Sequence, residues 1–171
     1  MMGSGRTTME LDDVGSLLPK RGAGSLKVRQ VIAEKSRNGA VTVSPEVSVY
    51  DALCAMAEHN IGALVVVDGD RVVGVISERD YARKVILIGK TSRETAVEEI
   101  MGSPVVTVSP DATVAECMAL MTERFLRHLP VVEHERLVGL VSIGDIVKTV
   151  LADQEEQLRR MSAYISGNYP T

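Results

Sequence analysis

Residues 41–85 and 106–150 are two versions of one sequence, and they align without a gap at an offset of 65 positions. Identical pairs include Thr42/Thr107, Pro45/Pro110, Met56/Met121, Arg71/Arg136, Gly74/Gly139, Ser77/Ser142 and Asp80/Asp145. Self-similarity at a fixed offset is the signature of a duplicated structural unit. We therefore expect both copies to adopt the same fold.

Each copy is predicted to form a strand, a helix, two strands and a second helix. The strand "VTV" ends at Ser-Pro, and the next helix carries apolar residues at steps of four and three. These are Val49, Leu53 and Met56 in the first copy and Val114, Met118, Met121 and Phe125 in the second. Two β-branched runs follow around a polar turn, and their continuous Val and Leu content favours strands covered on both faces. The fold class is therefore α/β (α+β), and since about 45 residues bury too little surface alone, the copies should pack together.

The repeats divide the chain into four segments. Segment 1–25 is rich in Gly and Ser and is predicted to be flexible. Residues 26–88 hold the first repeat and a leading helix, "LKVRQVIAEK". Residues 89–151 hold a linker, a short helix that corresponds to this leading helix, and the second repeat. Residues 152–171 extend the final helix and form the tail.

The final helix is predicted to carry an exposed apolar seam. Its members follow steps of four and three, with Gln154 at the remaining step: Val147, Leu151, Leu158, Met161 and Ile165. Such a seam docks on the core or on a second copy of the chain, and we expect a homodimer.

Composition argues against several classes of partner. The net charge is −4, acidic and basic residues are interspersed, and only 3% of residues are aromatic, so nucleic acid is not expected as the main partner. No apolar run approaches the ~20 residues that cross a bilayer, and the first residues lack a signal-peptide pattern. The expectation is a cytoplasmic protein without a membrane partner.

No motif in the sequence indicates a catalyst. The "GKT" at 89–91 lacks the first glycine of a phosphate-binding loop, since Lys84 stands five positions before Gly89. The three histidines, His59, His128 and His134, lack metal-ligand spacing. We therefore predict no enzyme activity, no catalytic residue, no metal site and no catalytic cofactor. Cys54 and Cys117 lie in apolar helical patterns and are expected to be buried small hydrophobic residues.

The heptads "GVISERD" and "GLVSIGD" place Ser77 three residues before Asp80, and Ser142 three residues before Asp145. A serine followed by a carboxylate at this spacing forms a helix capping box. The same arrangement sets a carboxylate beside a helix N-terminus, where it can accept hydrogen bonds from ribose hydroxyls while amides face a phosphate. From the residues alone, both interpretations remain open.

These features resemble a pair of CBS domains, the regulatory unit called a Bateman module. The resemblance covers Leu26 to Leu151 and depends on the repeated Ser-Pro, the "LPVV" of the second copy and the two heptads. More narrowly, "SERDYARKV", "RHLPVV" and "YISGNY" are similar to stand-alone CBS-pair proteins of bacteria and plant organelles. The resemblance implies tandem CBS domains packed with pseudo-twofold symmetry.

The resemblance also implies a nucleotide-sensing regulator. Its ligand would contain adenosine, as AMP, ADP, ATP, NAD(H) or S-adenosylmethionine do. The target protein that it regulates is unknown. The alternative is an adaptor that modulates a partner enzyme without an essential ligand, with the Ser and Asp pairs serving only as caps.

In this family each cleft draws on both copies, which implies two groups of site residues. The first joins Ser77, Arg79 and Asp80 to Leu126, Arg127 and His128, and the second joins Ser142 and Asp145 to Val41, Ile61 and Gly62. The aspartate would hold the ribose, and Arg79, Arg127 and His128 would approach phosphate. The sites should not be equivalent, because Gly144 aligns with Arg79, and Val65 stands where the second copy has Pro130.

Overall fold

The computed structural model describes residues 26–35 and 39–167. The helices are α1 Val28–Lys35, α2 Val49–His59, α3 Glu78–Lys84, α4 Val97–Ile100, α5 Val114–Glu123 and α6 Ile143–Ile165. The strands are β1 Thr42–Val43, β2 Ala63–Asp68, β3 Arg71–Ser77, β4 His128–Glu133 and β5 Arg136–Ser142, with a 3-10 turn over Ile86–Ile88. The predicted flexible segment 1–25 and the last residues of "YISGNY" lie outside the described residues.

The two units repeat each other down to the register of their hairpins. Ala63 pairs with Ser77 in the first hairpin, and His128 pairs with Ser142 in the second. Both hairpins shift register after equivalent residues, Val66 and Val131. The α+β architecture and the duplication predicted from the sequence are confirmed, and the register sets Ser77 and Ser142 at equivalent helix starts.

The first strand of the second unit is shorter than predicted. In the first unit β1 runs parallel to β2, and the Val65 amide donates to the Val41 carbonyl at 3.1 Å. Pro130 occupies the equivalent position and has no N–H to donate. Among the described residues Val108 still pairs with Val131, but no strand forms there. The predicted strand is therefore reduced to isolated bridges because a proline interrupts the ladder.

The buried helix stripes differ in part from the predicted ones. In α2 the buried residues are Val49, Ala52 and Met56, and Leu53 is only half-buried. In α5 they are Val114, Cys117, Leu120 and Met121. Met118 and Phe125 are exposed, the latter by 86%. The prediction failed for Phe125 because α5 ends at Glu123 and Phe125 adopts a left-handed φ of 54°.

Each unit is completed by the helix that precedes the other repeat. Val28 and Val31 of α1 belong to the core of the second unit, and Val97 and Ile100 of α4 belong to the core of the first. Matching hydrogen bonds hold these helices: the Val28 amide donates to the Ala112 carbonyl and the Val97 amide to the Val47 carbonyl, both at 2.9 Å. The two units are thus tied together by crossed helices.

The apolar seam predicted on the final helix is exposed along α6. Its exposed fraction rises from 50% at Val147 to 89% at Ile165. Across residues 26–35 and 39–167, no helix combines the length and the apolar character needed to cross a membrane.

The two cysteines have different surroundings. Cys117 is buried in α5, as predicted. Burial, and to a smaller extent the charge of Glu116, raises the pKa of its thiol to about 12. The prediction for Cys54 is wrong, because this residue is exposed. It follows the buried Ala52 by two positions in α2, which turns it away from the core.

Candidate ligand cavity between the units

A cavity of about 670 Å³ is lined by residues of both units. This volume lies within the usual range of small-molecule sites, roughly 300 to 1,000 Å³. The first unit and the segment before it contribute Gly39, Ala40, Val41, His59, Ile61, Gly62 and Ala63. The second unit contributes His128, Val138, Gly139, Leu140, Ser142 and Asp145, and α1 contributes Ile32 and Lys35.

The cavity brings together the second predicted group of site residues. Ser142 and Asp145 from the start of α6 share it with Val41, Ile61 and Gly62. His128, which the sequence interpretation placed with the first group, also lines it. The side chains of Val41 and Ile61 therefore come from the unit opposite to the one that supplies the Asp145 carboxylate.

The remaining residues of the first predicted group lie outside this cavity: Ser77, Arg79, Asp80, Leu126 and Arg127. Arg79 and Arg127 are exposed, and Leu126 is half-buried. Oδ1 of Asp80 lies 3.1 Å from Nζ of Lys84 in the same helix. The geometry thus separates two positions that are equivalent in the repeat.

Both Ser-Asp pairs form capping boxes. The Ser77 amide donates to Oδ2 of Asp80 at 3.0 Å, and the Ser142 amide donates to Oδ2 of Asp145 at 2.8 Å. In return the amides of Asp80 and Asp145 donate to the serine hydroxyls at 3.3 and 3.2 Å. The capping interpretation therefore holds for both pairs, and it engages only one oxygen of each carboxylate.

Asp145 has a second partner that the sequence did not indicate. Nζ of Lys35 lies 2.5 Å from Oδ2 of Asp145 and donates to the Leu140 carbonyl at 3.1 Å. Burial by itself would raise the pKa of Asp145, but the hydrogen bonds from Lys35 and Ser142 outweigh burial and lower it. Asp145 is therefore an anion at neutral pH, and the ion pair lies at the cavity wall.

His128 is close enough to both capping carboxylates for their charges to act on it. It is half-buried at the start of β4, and its pKa is lowered by burial first and then by the charges of Lys35 and Arg127. Asp145 and Asp80 act in the opposite direction but do not cancel this effect. A neutral imidazole offers one donor and one acceptor nitrogen to the cavity.

Sequence reasoning missed Lys35, His59 and the strand residues Val138 to Leu140 as lining residues. Lys35 was missed because α1 was assigned to the repeat that it precedes, whereas it packs on the other unit. Gly139 did carry a signal: a Cβ there would lie 2.9 Å from Cγ2 of Ile32. A glycine inside a strand often marks such a close approach.

Comparison with known proteins finds matches that cover both units. The family described as "CBS domain" matches residues 28–86 and 97–152. The mitochondrial CBS domain-containing protein CBSX3 of Arabidopsis thaliana is 44% identical over 127 residues, which are 71% of this chain and 62% of that protein. YhcV of Bacillus subtilis, also a CBS domain-containing protein, is 31% identical over 113 residues, 66% of this chain and 80% of that one.

The fold is also found among solved structures. A protein with CBS domains from Burkholderia ambifaria is 50% identical and superposes with a TM-score of 0.69. The match covers 75% of this chain and 96% of that one.

Proposed function

This chain belongs to the CBS-domain family, and on that premise we propose that the cavity at Asp145 binds an adenosine-containing nucleotide such as AMP, ADP, ATP or NAD(H). Tandem CBS domains generally act as regulatory ligand-sensing modules. The observation that carries the proposal is that Val41, Ile61 and Gly62 of one unit share a cavity with Asp145 of the other.

The lining residues match the parts of such a ligand. Adenine lies against Val41 and Ile61, with the backbone at Gly62 available for hydrogen bonds to the base. Asp145 accepts from the ribose hydroxyls, because a carboxylate has acceptor capacity for several donors. Lys35 and His128 line the same cavity, and in our proposal they contact the charged end of the ligand.

Capping and ligand binding are compatible at Asp145. The cap and Lys35 both use Oδ2. Oδ1 of Asp145 has no partner among residues 26–35 and 39–167. One carboxylate oxygen is thus left to accept from a ribose hydroxyl.

The ligand would act by changing how the units pack. The ligand contacts both units and α1, so its affinity depends on how they pack against each other. It stabilises the packing that binds it more tightly, and the size of this effect is the difference between its affinities for the alternative packings. Proteins built only from CBS domains are typically regulatory, and in our proposal the output is a change in the surface offered to a target protein.

The test compares Asp145→Ala with Asp80→Ala by calorimetric titration of ADP. Both changes remove an equivalent cap, and the two carboxylates are 21% and 22% exposed, so their structural costs are matched. We expect Asp145→Ala to weaken binding by about 10- to 100-fold, the scale of a lost charge-assisted hydrogen bond. Asp80→Ala should bind as the unaltered chain does. If both variants bind ADP as tightly as the unaltered chain, the ribose role of Asp145 is wrong.

An adaptor is the second candidate function, and the exposed seam of α6 favours it. We propose that a second copy of the chain covers this seam, because the steps of four and three from Val147 to Ile165 are those of a helix that pairs with another helix. An adaptor would keep its target without nucleotide, whereas the sensor would change its affinity for the target when nucleotide is added.

The cytoplasmic location stays a prediction, since the Arabidopsis relative is named as mitochondrial.

A further inference from the structure

Lys35 occupies the position that decides what charge the cavity accepts. Its ammonium group is held by the Asp145 carboxylate at 2.5 Å and by the Leu140 carbonyl at 3.1 Å. Its side chain remains 45% exposed, so the group has room to move toward a ligand. Among the described residues that line the cavity, Lys35 is the one lysine or arginine and Asp145 the one carboxylate.

The ion pair sets a cost on every ligand that uses Asp145. Lys35 is held on Oδ2 of Asp145, and a ribose hydroxyl that donates to Oδ1 draws on the charge of the same carboxylate, so it weakens the ion pair. If Lys35 leaves Asp145 without a new partner, a partly buried charge loses its counter-ion, which is unfavourable. A ligand that brings its own anion removes this cost, because the ammonium group then moves from the carboxylate to the phosphate.

We propose that Lys35 is a specificity-determining residue that exchanges Asp145 for a ligand phosphate and thereby selects phosphorylated adenosine ligands over neutral or cationic ones. This inference rests on the proposed function and narrows it. Adenosine gives the displaced ammonium group nothing to bind. S-Adenosylmethionine carries a sulfonium in place of the 5′-phosphate and sets a second cation near Lys35. AMP and ADP supply the anion and are the preferred class.

The repeat provides a matched control for this lysine. Lys84 lies 3.1 Å from Oδ1 of Asp80 and donates to the Ile100 carbonyl at 2.6 Å, the same pattern of one carboxylate and one carbonyl. The side chains of Lys84 and Lys35 are 46% and 45% exposed. Lys84 does not line the cavity. A change at Lys84 therefore removes an equivalent ion pair without touching the site.

The experiment titrates ADP, adenosine and S-adenosylmethionine into the unaltered full chain, Lys35→Met, Lys35→Arg and Lys84→Met, with circular dichroism to confirm folding. The unaltered chain should bind ADP at least 10-fold more tightly than the other two compounds. Lys35→Met should lose about 10- to 100-fold in ADP affinity, as expected for a lost charge-assisted hydrogen bond, and bind adenosine as well as before or better. Lys35→Arg and Lys84→Met should both keep the preference for ADP.

The outcomes separate this inference from the proposed function. If the unaltered chain binds none of the three compounds, the proposed function is wrong and the inference with it. If it binds ADP and adenosine equally, or if Lys35→Met keeps the original ratio of the two affinities, the role of Lys35 is overturned while the cavity remains a nucleotide site. Loss of the preference for ADP in Lys84→Met would likewise overturn the role of Lys35, because removal of an ion pair outside the cavity would then have the same effect.

Discussion

Asp80 and Asp145 are the same residue of the repeat, yet their side chains have different cations as partners. Asp80 pairs with Lys84 one turn along its own helix, whereas Asp145 pairs with Lys35 from α1. From the sequence we predicted that the two positions would be inequivalent, because Gly144 aligns with Arg79 and Pro130 with Val65. The structure adds a difference in the lysines, one of which reaches Asp145 because α1 packs on the second unit.

At the residue scale, we predict that His128 makes the stability of the protein dependent on pH. Its pKa is lowered below the usual 6.5 by burial and by Lys35 and Arg127, with Asp145 and Asp80 opposing. The unfolded chain therefore takes up a proton at a higher pH than the folded protein, so the free energy of unfolding falls as pH falls through about 6.5. Urea unfolding at pH 7.5, 6.5 and 5.5 measures this.

The comparison variant for this prediction is His128→Asn, which keeps a polar side chain that does not titrate. His59 and His134 are present in both proteins, so the difference between the two pH profiles isolates His128. The variant should lose less stability on acidification than the unaltered chain. Identical profiles would mean that His128 is as easily protonated in the folded protein as in the unfolded one.

At the scale of elements, most of the architecture could be predicted because duplicated patterns supported each other. Both hairpins follow from two β-branched runs around a polar turn, and both helix starts follow from Ser-x-x-Asp. The exceptions are local. Pro130 removes the donor that a second ladder bond needs. In α2 and α5 the buried stripe runs through Ala52 and Cys117 instead of through Leu53 and Met118.

The seam of α6 gives the prediction that belongs to this scale. The double change Leu158→Lys and Met161→Lys sets two charges where a second copy would have to bury them, so the protein should run as a monomer in light scattering after size-exclusion chromatography. Ala152→Lys with Ala163→Lys adds the same charges at exposed positions off the seam and should keep the dimer. Equal masses for both variants would show that the seam is not the contact between copies.

At the scale of the whole molecule, the crossing of α1 and α4 is the feature that sequence reasoning could not predict. Both helices are short amphipathic segments, and each could bury its apolar face against either unit. The glycines of the repeated heptads show where the helices come to lie. A Cβ at Gly74 would meet Sδ of Met101 at 2.6 Å, and one at Gly139 would meet Cγ2 of Ile32 at 2.9 Å. These contacts are equivalent in the two units, which supports one arrangement for both.

The crossing predicts which strands each helix protects. Val28 and Val97 are equivalent and both 0% exposed, so truncation to alanine at either should cost about 2 kcal/mol in the free energy of unfolding. In native-state hydrogen exchange, Val28→Ala should lower the protection of β4 and β5, whereas Val97→Ala should lower that of β2 and β3. If Val28→Ala loosens β2 and β3 and leaves β4 and β5 protected, the helices do not cross.

Among the described residues, Val28 and Val31 of α1 belong to the core of the second unit and not to that of the first, so the molecule has the layout of a split protein. A chain cut between α1 and β1 would leave the piece that contains α1 docked on the remainder by Val28, Val31 and the hydrogen bond to Ala112. That piece would bring Ile32 and Lys35 with it. The wall of the cavity would then be supplied in trans by a peptide, and fragment complementation would rebuild the binding pocket from two separate molecules.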